Sequence, residues 1–151
     1  MNRVQLTIYT DGGARGNPGP AAIGFIVIDH QDRVLKRYGE PIGRTTNNVA
    51  EYQALIKAFN WVDQQSPMVP ETIKVFMDSQ LIINQLNGVF KVKDHKLKAL
   101  IMQLRALEQT FHQKGSKIFY QYIPRLQNQL ADALVNQALD TNSIVDHTSI
   151  N

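Results

Sequence analysis

The apolar periodicity of this chain first changes after three strand-like runs, and that change limits the folds open to it. Residues 4–10 alternate, with Val4, Leu6 and Ile8 against Gln5, Thr7 and Tyr9. Residues 21–28 are small and apolar, and residues 34–38 return as a third short apolar segment after the turn cluster Asp29-His30-Gln31-Asp32. A period of two over short runs is the strand signature, so three strands in succession predict an antiparallel meander. From residue 49 the period becomes helical, with Val49, Tyr52, Leu55, Ile56, Phe59 and Val62 on one stripe. Strand and helix then alternate. A short strand at 73–77 precedes a short helix carrying Leu81, Ile82, Gln85 and Leu86, which stops at Asn87-Gly88. A long helix carries Leu97, Leu100, Ile101, Leu104, Leu107 and Phe111, followed by a strand at 118–123 and a last helix at 129–139. Strands separated by helices pair in parallel through crossovers, so the fold class is α/β. The expected architecture is a five-stranded mixed sheet, an antiparallel meander plus parallel strands, with helices on both faces.

The 151 residues suit a single domain with one core, here expected at 1–140. Residues 141–151 are weakly patterned and are expected as a loose tail, with Ile144, Val145 and Ile150 available to dock on the sheet edge. With 43% hydrophobic and 19% charged residues the mix is that of an ordinary globular chain. No apolar run approaches the roughly 20 residues of a membrane span, and the opening residues lack a signal-peptide pattern. The absence of cysteine removes disulfides and thiolate metal sites. Cytoplasmic residence, no membrane partner and a monomeric state are the expectations. A net charge of +3 is compatible with a polyanionic partner without requiring one.

The chemistry gathers where apolar strands run into acids. Asp11 closes the first strand and enters the loop Gly12-Gly13-Ala14-Arg15-Gly16-Asn17-Pro18-Gly19-Pro20, and Asp78 closes the fourth. In open sheets with crossovers, ligands gather outside the carboxyl ends of the strands. If these two strands are neighbours, Asp11 and Asp78 sit side by side. Glu51 is expected in the first turn of the first long helix and Asp132 near the start of the last. Taken singly, each acid is better read as a turn or helix-start residue, and only the convergence of four favours a site. Four converging carboxylates repel unless neutralised, and oxygen-only ligands select hard divalent cations, Mg²⁺ or Mn²⁺. Two such ions form the clamp that supports in-line phosphoryl displacement.

Thr10-Asp11-Gly12-Gly13, Gly16-Asn17-Pro18-Gly19-Pro20, Thr45-Thr46-Asn47-Asn48-Val49-Ala50-Glu51, Asp78-Ser79-Gln80, and Asn128 with Ala131-Asp132 together resemble the type 1 ribonuclease H family. The resemblance spans residues 3–139 in the family's order. It implies that Asp11, Glu51, Asp78 and Asp132 are catalytic carboxylates holding two Mg²⁺ ions, with Mn²⁺ as a substitute. It implies hydrolysis of the RNA strand of an RNA–DNA hybrid by metal-activated water, giving 5′-phosphate and 3′-hydroxyl ends. Gly12, Asn48, Ser79 and Gln80 match positions on the RNA strand, where the 2′-hydroxyl separates RNA from DNA. Asn17 and Thr46 match the DNA-phosphate holder, with Asn47 beside them.

The sequence departs from the family twice. The loop before the last helix reads Ile123-Pro124-Arg125-Leu126-Gln127-Asn128, so Arg125 stands where many members have histidine. A guanidinium stays protonated and cannot shuttle a proton, but it can hold a phosphate. The basic handle some members insert after the short helix is missing; only Lys91, Lys93, Lys96 and Lys98 are near. Double-stranded RNA as a further substrate stays open. The competing readings are a non-catalytic hybrid- or double-stranded-nucleic-acid-binding module of the same fold, and a junction resolvase or integrase-like nuclease. The first predicts a lost carboxylate, and all four are present.

Overall fold

The computed structural model describes residues 4–65 and 67–149. The meander forms as expected but with longer strands: β1 (Val4–Ala14), β2 (Gly19–Asp29) and β3 (Val34–Thr45). Then follow α1 (Asn47–Asp63), β4 (Pro70–Met77), α2 (Gln80–Leu86), α3 (His95–Gln113), β5 (Lys117–Tyr122), one 3-10 turn at Arg125–Gln127, α4 (Gln129–Thr141) and β6 (Val145–Thr148). Side-chain acceptors fix three of the helix starts. Thr46 accepts from the Val49 N–H, Ser79 from Ile82 and Asp94 from Leu97.

The sheet order is β5-β4-β1-β2-β3-β6. β1 lies parallel to β4, and β4 parallel to β5; the remaining pairs are antiparallel. The expected count of five strands becomes six. β6 pairs with the outer edge of β3, from Lys36↔Thr148 to Gly39↔Val145. It has four residues, of which only Val145 is buried, so its side chains carry no alternation to read. Val145 docks as anticipated, whereas Ile144 is exposed and Ile150 lies outside the described residues.

The main core lies between the sheet and the α1–α3 layer. Leu6, Ile8, Phe25 and Val75 from the strands meet Tyr52, Leu55, Phe59, Leu104 and Phe111 from the helices. On the other face α4 packs over β2, β3 and part of β1, through Leu134, Val135 and Ala138 against Ala22 and Ile26. Helices therefore cover both faces, but the second face only in part. Among the described residues no helix is long and apolar enough to cross a membrane.

Candidate active site

Asp11 does not end its strand. The parallel ladder with β4 stops at Tyr9↔Phe76, while the antiparallel ladder with β2 continues through Asp11↔Gly24 to Ala14↔Ala21. Asp11 thus sits where β1 has lost one neighbour and kept the other, rigid but open on the β4 side. Asp78 directly follows Met77, the last residue of β4, and borders the same opening. The strand ends are neighbours, as the sequence reading required.

Glu51 falls one turn deeper than expected. α1 begins at Asn47, so Glu51 is its fifth residue, on the face pressed against β1. The approach is close because Gly12 has no side chain: a Cβ there would lie 2.3 Å from the Ala50 carbonyl carbon. In return the Gly12 N–H donates to Glu51 Oε1 at 2.7 Å. Glu51 Oε2 is buried and has no hydrogen-bond partner. Oxygens of Asp11, Glu51 and Asp78 all lie within 4.8 Å of one another.

Asp132 stands apart from that trio but lines the same cleft of about 550 Å³. α4 carries it there in its first turn, packed so tightly on the sheet that a Cβ on Gly24 would lie 2.6 Å from the Ala131 carbonyl oxygen. The cleft is also lined by Gly12, Asn47, Asn48, Ser79 and Arg125. Asn17, Thr46 and Gln80 do not line it. Asn17 Oδ1 instead accepts from the Asn47 N–H at 2.9 Å, Thr46 caps α1, and Gln80 is hydrogen-bonded to Asn84. The glycine-rich loop is thereby tied to the α1 start, with Asn47 Oδ1 accepting in turn from the Ala14 N–H at 2.8 Å.

Three polar residues join the site that the sequence reading did not place there. Asn128 is buried and donates to the Thr10 carbonyl at 2.9 Å and to Asp78 Oδ2 at 3.3 Å, so it aims one of the carboxylates. Asn136 donates to Asp132 Oδ2 at 3.3 Å from one helical turn further on. Arg15 reaches from the loop to Asp140 at 2.6 Å and to Asn136. The i, i+4 spacing of Asp132 and Asn136 was the only local signal for these links.

Burial raises the Asp11 carboxyl to about 7, helped by the charge of Asp78. Burial, and then the charge of Asp11, pushes Glu51 well above the carboxylate range. Burial also raises Asp78, against the Asn128 hydrogen bond and the Arg125 charge. The nearby cations do not neutralise this group. Arg15 is paired with Asp140, and Arg125 is highly exposed, 3.9 Å from Asp132. An oxygen-only donor set, a partnerless buried carboxylate oxygen and carboxyls destabilised as anions fit a hard divalent cation. A cation held by these crowded carboxylates would also lessen the repulsion that they exert on an approaching anion.

A family model described as reverse transcriptase-like matches residues 9–138. A bifunctional protein of Mycobacterium tuberculosis is 41% identical over 139 residues, covering 91% of this chain and 36% of that protein. Ribonuclease HI of Halobacterium salinarum is 38% identical over 132 residues, covering 87% of this chain and 63% of that protein. The chain thus spans about a third of the first relative's length and less than two thirds of the second's. Among solved structures, LC11-RNase H1, isolated from compost and crystallised in complex with an RNA/DNA hybrid, superposes with a TM-score of 0.84. It is 41% identical, with 91% of this chain and 98% of that chain covered.

Proposed function

The chain belongs to the type 1 ribonuclease H family, and from that membership and its carboxylate geometry we propose that it is a metal-dependent endoribonuclease acting on the RNA strand of RNA–DNA hybrids. The observation that carries the reading is the buried trio Asp11, Glu51 and Asp78, converging at the floor of a polar cleft with Asp132 on its wall. Asp11, Glu51, Asp78 and Asp132 would hold two Mg²⁺ ions, or Mn²⁺ in their place. When bound, such a pair supplies charge neutralisation and an activated water for in-line attack on a phosphodiester, leaving 5′-phosphate and 3′-hydroxyl ends.

The protein's own groups bind and orient the substrate. Ser79 Oγ accepts from the helix backbone, which leaves its O–H to donate to an RNA 2′-hydroxyl; Asn48 lines the same cleft, and Gln80, the next residue after Ser79, would reach the RNA strand from outside it. The Gly12 N–H is engaged by Glu51 and the space of its missing side chain is taken by α1, so Gly12 would serve the RNA strand by lining the cleft with backbone and fixing Glu51. Asn17 and Asn47 each use their side-chain oxygen on backbone, leaving NH₂ groups for phosphate oxygens of the DNA strand; the Thr46 O–H is free in the same way. Arg125, highly exposed at the cleft mouth, would hold a phosphate or the leaving oxygen but would not carry a proton. The protein would work as a cytoplasmic monomer.

The test is cleavage of a labelled RNA–DNA hybrid with Mg²⁺, Mn²⁺ or EDTA, against single-stranded RNA, double-stranded RNA and DNA duplex. Metal-dependent cutting of the hybrid's RNA strand that disappears in Asp11→Asn is the expected result. Cutting of double-stranded RNA as well would widen the substrate class. Hybrid binding without cleavage under any metal would overturn the enzyme reading in favour of a binding module.

A further inference from the structure

α4 leaves β4, β5 and part of β1 open on the face of the sheet that bears Asp11. The register lines up three rows there: Tyr9, Phe76 and Gln121; Thr7, Lys74 and Phe119; Gln5, Thr72 and Lys117. Tyr9 and Phe76 stack with ring centroids 5.3 Å apart. Phe119 is 52% exposed, and Lys74 and Lys117 are exposed. None of the nine positions is acidic. The inward neighbours Ile73, Val75, Ile118 and Tyr120 go to the α-helical side, so these rings and lysines contribute nothing to the main core.

This face is continuous with the cleft. Asp11 lies two residues beyond Tyr9, and Asp78 two beyond Phe76, a step of about 7 Å along the strands. The Arg125–Gln127 turn borders the passage, and Tyr9 forms part of a recess of about 320 Å³ with Ile28, Leu126, Asn128 and Leu130. Leu126 and Leu130 are 80% and 59% exposed.

We propose that the open face of β1, β4 and β5 is a stacking platform for an unpaired strand that runs on from a hybrid held in the cleft. The proposal rests on the hydrolase reading above. The half-buried Tyr9–Phe76 pair in one row and the exposed Phe119 ring in the next, with Lys74 and Lys117 beside them and no acid among the nine positions, match the two needs of single-stranded nucleic acid. Bases stack on the aromatic faces, and the lysines attract the backbone without reading sequence. Among the described residues no ion pair engages Lys74 or Lys117, and a nucleic-acid strand supplies both the planar groups and the negative charge that this face lacks.

The test compares binding of a blunt RNA–DNA hybrid with that of the same hybrid carrying a short oligouridine tail on its RNA strand, at the 5′ or the 3′ end. The full chain carries Asp11→Asn so that the substrate persists. A tail at one end should tighten binding at least about fivefold and quench a 2-aminopurine placed within it. Phe119→Ala with Lys74→Ala should abolish the gain, and Phe119→Trp should restore it. Equal affinity for blunt and tailed hybrids, or a gain that survives in the double variant, overturns the platform. So does a dimer in sedimentation that Phe119→Ala splits, which would assign the face to a second copy. Cleavage of the blunt hybrid by the unaltered chain, measured alongside, reports on the hydrolase reading alone.

Discussion

At the scale of single residues, the site is built to be uncomfortable without a cation. Asp11 titrates near 7 in the fold, against 3.8 as an ordinary carboxyl, chiefly because burial penalises the anion. The folded state therefore keeps a proton that the unfolded state has already lost across that window. Its contribution to stability is full below the ordinary value and is lost as pH rises through about 7. Glu51 acts in the same direction. The metal-free protein should melt lower at pH 8 than at pH 5, and Mg²⁺ should raise the melting temperature more at pH 8. A melting temperature that rises with pH across this range would contradict the electrostatic account. Asp11→Asn removes one of the crowded anions, so at pH 8 it should stabilise the metal-free protein by about 1–2 kcal/mol while abolishing cleavage. Chemical denaturation of the two proteins in EDTA measures this. Asp11, Glu51, Asp78 and Asp132 were legible from sequence because each stands in a short ordered motif at or near a change of element; Asp78 directly follows β4 and Asp132 falls in the first turn of α4, whereas Asp11 lies inside β1 and Glu51 beyond the first turn of α1. Asn128 was not recognised as the group that aims Asp78, since its partners Thr10 and Asp78 are 118 and 50 residues away.

At the scale of elements, the site depends on how closely helices approach the sheet. α1 touches β1 at Gly12, and α4 touches β2 at Gly24, each at a distance that no side chain would permit. Gly12→Ala must push α1 away from β1, breaking the Gly12–Glu51 hydrogen bond and moving Glu51 off the trio. The expected cost exceeds about 3 kcal/mol, because the obstacle is backbone that cannot rotate aside. Hybrid cleavage should fall with it, and Mg²⁺ should no longer raise the melting temperature. Thermal melts of the variant with and without Mg²⁺ check both. A glycine in a motif is visible in sequence; the helix that needs it absent of a side chain is not. The same limit placed Glu51 in the wrong turn of α1, because Asn47, Asn48 and Thr46 are all acceptable caps, and only the Thr46–Val49 bond shows which one begins the helix.

At the scale of the whole molecule, the last strand closes the sheet on its far edge. Lys36 is buried there, with its ammonium 2.5 Å from Asp146, 2.7 Å from Thr148, and over the rings of Tyr38 and Trp61. Removing residues 143–151 uncovers that lysine and the surface under Val145. The loss should be about 2 kcal/mol, seen as a melting temperature lower by about 4–8 °C. Cleavage at low temperature should persist, because β6 lies at the opposite end of the sheet order from β4 and β5, with three strands between it and β4. An unchanged melting temperature would show that the strand adds nothing to the fold.

The sequence by itself determined the kinds and order of the elements, since a period of two or of 3.6 is a property of neighbouring residues. It also determined which four acids belong to the ordered motifs, and the family that those motifs resemble. Tertiary structure alone decided that β1 outruns β4 at Asp11, that Asn128, Asn136 and Arg15 tie the site together, and that a sixth strand completes the sheet. It alone left an aromatic face open beside the cleft. Each of these depends on contacts between residues tens of positions apart, and no local period encodes them.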